Sequence, residues 1–143
     1  MKRARTVLAA MTAMLAFAAT QQASAAPDVS VATPAHAVRT MQLTNADNGR
    51  TVTGRLGDSV RVRLTPVVED GLKWVFVKPA SSDSSLAAQT GGTETPDGGA
   101  SGSFDLVAAG KVVVQAGRRC VATTPGRVCP EVVLPWKVTL NVA

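Results

Sequence analysis

The sequence predicts an all-β protein, a two-sheet β-sandwich of about seven short strands. Three observations carry this expectation. Apolar residues recur at every second position in separate short stretches: Val60, Val62 and Leu64; Leu72, Trp74 and Phe76; and Trp136, Val138, Leu140 and Val142. That spacing places side chains on one face of a strand. Turn-forming pairs such as Asn48-Gly49 and Gly57-Asp58 separate the stretches. Beyond residue 25 no segment repeats its apolar residues at helical spacing.

The first 25 residues stand apart. Lys2, Arg3 and Arg5 form a basic cap, Val7 to Thr20 is an apolar run, and Ala23-Ser24-Ala25 offers the small residues a signal peptidase reads. Residues 1–25 are therefore expected to be a cleaved secretory signal, which places the protein outside the cell or in the cell envelope. The run is shorter than the roughly 20 apolar residues a spanning helix needs, and no second one follows, so no membrane span is expected after cleavage. Residues 26–37, Ala, Pro and Val without a period, read as a flexible leader to a domain at 38–143.

Of the 15 lysines and arginines three lie in the signal, whereas all 10 acids follow it. The mature chain thus carries 12 cationic against 10 anionic side chains, a net charge of +2. That is too little to argue for nucleic acid or an anionic membrane. The pairs Arg61/Arg63 and Arg118/Arg119 read as solvated positions on a strand and a loop. About 118 residues make one domain with a modest core, a size at which a covalent staple helps.

In chain order, Met41 and Leu43 lead into Asp47-Asn48-Gly49-Arg50, where Asn-Gly favours positive φ at both central positions and the chain is expected to reverse. Thr51 to Leu56 follows as a strand, and Gly57-Asp58 turns it into Val60-Arg61-Val62-Arg63-Leu64, with the arginines on the wet face. Pro66, Val67, Val68, Glu69, Asp70 and Gly71 form a loop to the next strand, whose Trp74 is expected to anchor the buried side. Ala80 to Ser103 is rich in Ser, Thr and Gly and reads as a long loop, with Leu86 to Gln89 a short edge strand. Phe104 to Val107 and Val112 to Ala116 are strands about a tight turn at 109–111, and Trp136 opens the last strand.

Cys120 and Cys129, in an exported chain, are expected to form one disulfide across a loop. In the chain-entropy model such a closure contributes about 2–3 kcal/mol. The other uses of these cysteines are a reactive thiol or a metal ligand. Against them, the single histidine, His36, lies in the leader, so neither a Cys-His nucleophile nor a metal cluster assembles, and a serine nucleophile has no base. Glu69 and Asp70 are adjacent acids on a tip and read as solvated. Asp83, Asp97 and Asp105 have no calcium-loop spacing. Gly98, Gly99 and Gly102 lack the strand-before, helix-after setting of a phosphate cradle. The chain has no tyrosine and few aromatics for a stacking platform. The expectation is a binding protein and not an enzyme, with no catalytic residue, metal or cofactor.

One resemblance gives that binding a direction. Leu43-Thr44 with Asp47-Asn48-Gly49-Arg50-Thr51-Val52, Gly57-Asp58 before Val60 to Leu64, and Gly71 with Trp74 resemble a chagasin-type domain, the family of secreted inhibitors of papain-like cysteine peptidases. Phe104, Ala109-Gly110 before Val112-Val113-Val114, and Val138-Thr139-Leu140-Asn141-Val142 follow in the same order, so the similarity spans roughly Leu43 to Val142. It implies an immunoglobulin-like sandwich whose three neighbouring loops wedge into a peptidase cleft without being cut. The first family loop reads Asn-Pro-Thr-Thr-Gly; Gly71 falls on its glycine, while Val67-Val68-Glu69-Asp70 replace the rest. The second is glycine-rich, matched by Gly98 or Gly99. The third carries Arg-Pro-Trp; Arg118 falls on the arginine, with Arg119 and Cys120 in place of Pro and Trp. The partner-binding residues implied are Pro66 to Gly71, Gly98, Gly99 and Arg118, and the partner is a papain-like cysteine peptidase. The alternative is a secreted immunoglobulin-like or envelope-associated module that keeps the scaffold without the inhibition.

Overall fold

In the computed structural model, which describes residues 24–28, 30–32 and 35–143, the alternation of Val60, Val62 and Leu64 becomes alternate burial, with Arg61 and Arg63 between them exposed. The expected signal lies outside the described residues apart from its last two positions. Residues His36–Ala143 form one compact unit. Its strands are β1 (Thr40–Leu43), β2 (Thr51–Gly54), β3 (Ser59–Leu64), β4 (Val67–Glu69), β5 (Leu72–Phe76), β6 (Ala80–Ser81), β7 (Ala87–Glu94), β8 (Ala100–Leu106), β9 (Gly110–Ala116), β10 (Arg118–Ala122) and β11 (Trp136–Val142). The helical content of this unit is one 3-10 turn, Asn45–Asp47.

Two sheets face each other, one in the order β1-β3-β8-β7 and one in the order β2-β11-β9-β6. Between them lies a core drawn from alternate positions: Leu43, Val60, Val62, Leu64, Phe104 and Leu106 from the first, Val112, Val114, Trp136, Val138 and Leu140 from the second. This is the immunoglobulin-like sandwich the sequence predicts. A third ladder, β10-β5-β4, continues the second sheet outward. Only Gly117 separates β9 from β10, and Val77 donates its amide hydrogen to the Gly117 carbonyl at 2.8 Å, so the paired strands bend there without parting. The number of strand segments exceeds seven largely because long strands are broken by such bends.

Three expectations are corrected. The Asp47–Arg50 turn does reverse the chain, but it is a type II turn: Asn48 has φ −54° and ψ 129°, and only Gly49, at φ 78°, is left-handed. The segments on either side do not pair with each other. Instead β1 pairs in parallel with β3 and β2 in parallel with β11, so the turn carries the chain from one sheet to the other.

The long loop expected over 80–103 is mostly strand. β7 and β8 form a hairpin with a bulge between Gln89 and Gly91. In β8 alternate positions are buried, but they are Ala100, Gly102, Phe104 and Leu106, and two of these are too small to register as an apolar stripe. Gly102 sits in a tight place: a Cβ there would lie 3.1 Å from the Phe104 ring and from Pro79.

Trp74 is half-buried and outside the core, whereas Trp136 is enclosed. Of the stripe Leu72, Trp74 and Phe76 only Phe76 is buried. β5 runs past the edge of the sandwich, so its alternation assigns a face that no opposing sheet covers.

Candidate partner-binding end

The first loop is a hairpin. β4 and β5 pair from Val67↔Trp74 to Glu69↔Leu72, leaving Asp70 and Gly71 as a two-residue turn. Their φ values of 51° and 75° are both left-handed, as a type I′ turn requires, and Asp-Gly is among the pairs that adopt it at least cost. The Asp-Gly signal was present in the sequence and would have turned the expected loop into a hairpin.

The second loop closes the β7–β8 hairpin. Thr95 donates its amide hydrogen to the Gly99 carbonyl at 2.9 Å, and the Asp97 carboxylate accepts from the Thr95 hydroxyl and, at 3.1 Å, from the Gly99 amide. Those donors, the hydroxyl first, hold the Asp97 carboxyl below its ordinary range, with the Lys73 charge adding to them. Gly98, at φ 98°, sits against the first hairpin: its carbonyl accepts the Phe76 amide at 2.8 Å.

The third loop begins as β10, paired to β5 from Arg118↔Phe76 to Ala122↔Leu72. It then turns through Thr124–Arg127, and Cys129 returns to Cys120 in a disulfide with a Cα–Cα distance of 5.7 Å, as expected from the sequence. Thr123 donates its amide hydrogen to the Gly71 carbonyl at 2.9 Å, so this loop touches the tip of the first hairpin.

All three loops therefore gather at one end of the sandwich, with the β4–β5 hairpin in the middle. The Gly57-Asp58 turn and the Val107–Ala109 turn lie at the other end, where Gly57 donates to the Leu106 carbonyl. Of the residues singled out in the sequence, Val67, Val68, Glu69 and Asp70 are exposed on the hairpin. Pro66 and Gly71 are half-covered at its ends. Gly98 is half-buried and Gly99 buried, so their role is to shape the second loop and not to present a side chain. Arg118 turns onto the sandwich: its guanidinium carbon lies 4.6 Å from the Trp74 ring centroid, a cation–π contact. Trp74, Arg118, Val67, Glu69 and Trp136 line a groove of about 340 Å³ beside the hairpin.

Sequence reasoning missed a set of exposed aliphatic side chains on the third loop: Val121, Val128, Val132 and Leu134, the last three more than two-thirds exposed. Val67 and Val68 on the hairpin belong with them. Val128 to Leu134 is mostly apolar around Glu131 but has no alternation, so the sequence does not say which of these side chains a layer covers. Residues near Gly71, Thr124 and Arg127, were also missed, and nothing local in the sequence links them to it.

No family model matches the chain, and no curated protein matches it. Among solved structures, the cysteine protease inhibitor EhICP2 from Entamoeba histolytica aligns with a TM-score of 0.50 at 11% sequence identity, over 74% of this chain and 97% of its own. Amebosin, a solution structure, aligns with a TM-score of 0.39 at 15% identity, over 73% of this chain and 98% of its own. The fold is chagasin-like. At this level of identity the likeness is one of architecture.

Proposed function

We propose that this protein is a secreted, reversible, noncovalent inhibitor of papain-like cysteine peptidases that docks through its three clustered loops. The observation that carries the reading is the exposure of Val67 and Val68 on a projecting hairpin. Successive strand residues point to opposite faces, so these two valines lie on the two sides of one thin blade. A flat partner would cover only one of them. A cleft with two walls covers both, and burying what remains exposed of each, 39% of Val67 and 65% of Val68, favours association by roughly 1 kcal/mol per valine.

The turn at the tip supports inhibition over digestion. A peptidase cleft accepts substrate backbone in an extended form, whereas Asp70 and Gly71 are both left-handed and closed by the β4–β5 ladder. Cleavage there would require the turn to open. Glu69 and Asp70 set a condition on the partner: a cleft that takes them must offer a cation or leave them at its mouth, because an unpaired carboxylate costs several kcal/mol to bury.

Titration of papain activity with the purified oxidised protein tests the reading. Reversible inhibition is expected, lost in the Val68→Ser variant with little change in unfolding midpoint, since that side chain is 65% exposed. A folded protein that leaves papain fully active at micromolar concentration would favour the alternative, an immunoglobulin-like module with a different partner.

A further inference from the structure

The β4–β5 ladder spans only three residue pairs and β4 is exposed along its whole length. A hairpin that short is marginal by itself. Its base is held by the bond from Phe76 to Gly98 and β5 is paired along its length to β10, while its tip meets the disulfide-closed loop into which β10 leads. Thr123 donates to the Gly71 carbonyl at 2.9 Å. The place a Cβ on Gly71 would occupy is 2.9 Å from the Thr124 hydroxyl oxygen and 3.1 Å from Arg127 Cγ, so the two loops meet with no room for a side chain between them. The disulfide holds Thr123–Val128 in this position, because that segment joins Cys120 to Cys129 and contains no strand of its own. Neither cysteine belongs to the core.

We propose that the disulfide-closed loop is a brace that positions the hairpin. Thr123, Thr124 and Arg127 are positioning residues: they act on a partner only through Gly71 and the blade it ends. Opening the disulfide releases them from the tip and loosens the hairpin, while β10 stays paired to β5 and the sandwich stays folded. Any effect on peptidase binding rests on the function proposed above; the brace itself does not.

The experiment compares amide hydrogen exchange in the oxidised protein and in the Cys120→Ser/Cys129→Ser variant. The amides of Thr123 and of residues 67–72 are expected to exchange at least ten-fold faster in the variant. Those of Leu106 and Thr139, bonded at 2.9 Å to the Asp58 and Arg50 carbonyls in the body of the sandwich, are expected to keep their rates. If the variant does not fold, the same amides are followed in the natural chain after reduction with dithiothreitol. Hairpin amides that keep their rates when the loop is open would overturn the proposal, as would equal acceleration throughout the sandwich. A parallel papain titration separates the two claims. An oxidised protein that does not inhibit defeats the proposed function and leaves the exchange result to decide the brace. Equal inhibition by the oxidised and open forms shows that the brace has no part in binding.

Discussion

Gly98 lies so close against Val75 that a methyl group on the glycine would overlap a valine Cγ. Together with the Phe76–Gly98 hydrogen bond, this contact ties the second loop to the base of the first hairpin, so two loops far apart in sequence share one foundation.

Gly98→Ala is expected to destabilise the protein by about 2 kcal/mol, since φ 98° strains any residue with a Cβ and the new methyl meets Val75. Adding Val75→Ala should recover part of the loss. Urea unfolding of the two single variants and the double variant measures the coupling, which must be favourable in the double variant if the contact is real.

The two tryptophans separate cleanly. Trp136 is enclosed between the sheets and its indole N–H is bonded to the Thr44 carbonyl at 3.1 Å; Trp136→Ala should cost about 3–5 kcal/mol. Trp74 is half-exposed beneath Arg118, so Trp74→Ala should cost about 1 kcal/mol, the scale of an exposed cation–π contact with modest packing. Denaturant midpoints of the two variants give the comparison, and a larger loss at Trp74 would contradict the placement of the core.

Asp58 gives the protein an acid limit. Its side chain is fully enclosed at the Gly57-Asp58 turn and accepts from the backbone amides of Arg55 at 3.0 Å and Arg39 at 3.1 Å, with His36 at 3.3 Å. The Arg55 amide first, then the Arg39 amide, hold its carboxyl below the ordinary range against the opposing effect of burial. A carboxyl lowered on folding stabilises fully above its unfolded value, about 3.9, and that contribution disappears as the pH falls through the lower folded value. Stability measured against pH should therefore fall below about pH 4, and Asp58→Asn should be less stable at neutral pH with a shallower acid decline. An unchanged decline would assign the acid sensitivity to Asp83 and Asp97, whose carboxyls are also lowered by hydroxyl donors.

How far the sequence could be read depended on what covers each face. β3 and β11 were legible because their alternation, Val60 to Leu64 and Trp136 to Val142, faces a second sheet, so period and burial coincide. The same alternation at Leu72, Trp74 and Phe76 misled, since β5 leaves the sandwich and its pattern cannot say that the opposing layer has ended. β8 was hidden because two of its four inward positions are Ala100 and Gly102, too small to mark an apolar stripe. The parallel pairings of β1 and β2 join residues distant in sequence, which no local pattern records. At the candidate site the disulfide and the hairpin residues were legible, one from the cysteines and the other from the chagasin resemblance. The brace on Gly71 and the exposed aliphatic side chains were not, because one depends on a contact between loops and the other on the absence of any covering layer.

The central claim is that the three clustered loops are the docking end, and amide protection on a complex with papain tests it most directly. Protection is expected at residues 66–71, 95–99 and 118–128, with Leu56–Asp58 and Val107–Ala109 at the opposite end unchanged. Protection at that opposite end, or none at the hairpin in a stoichiometric complex, would contradict it.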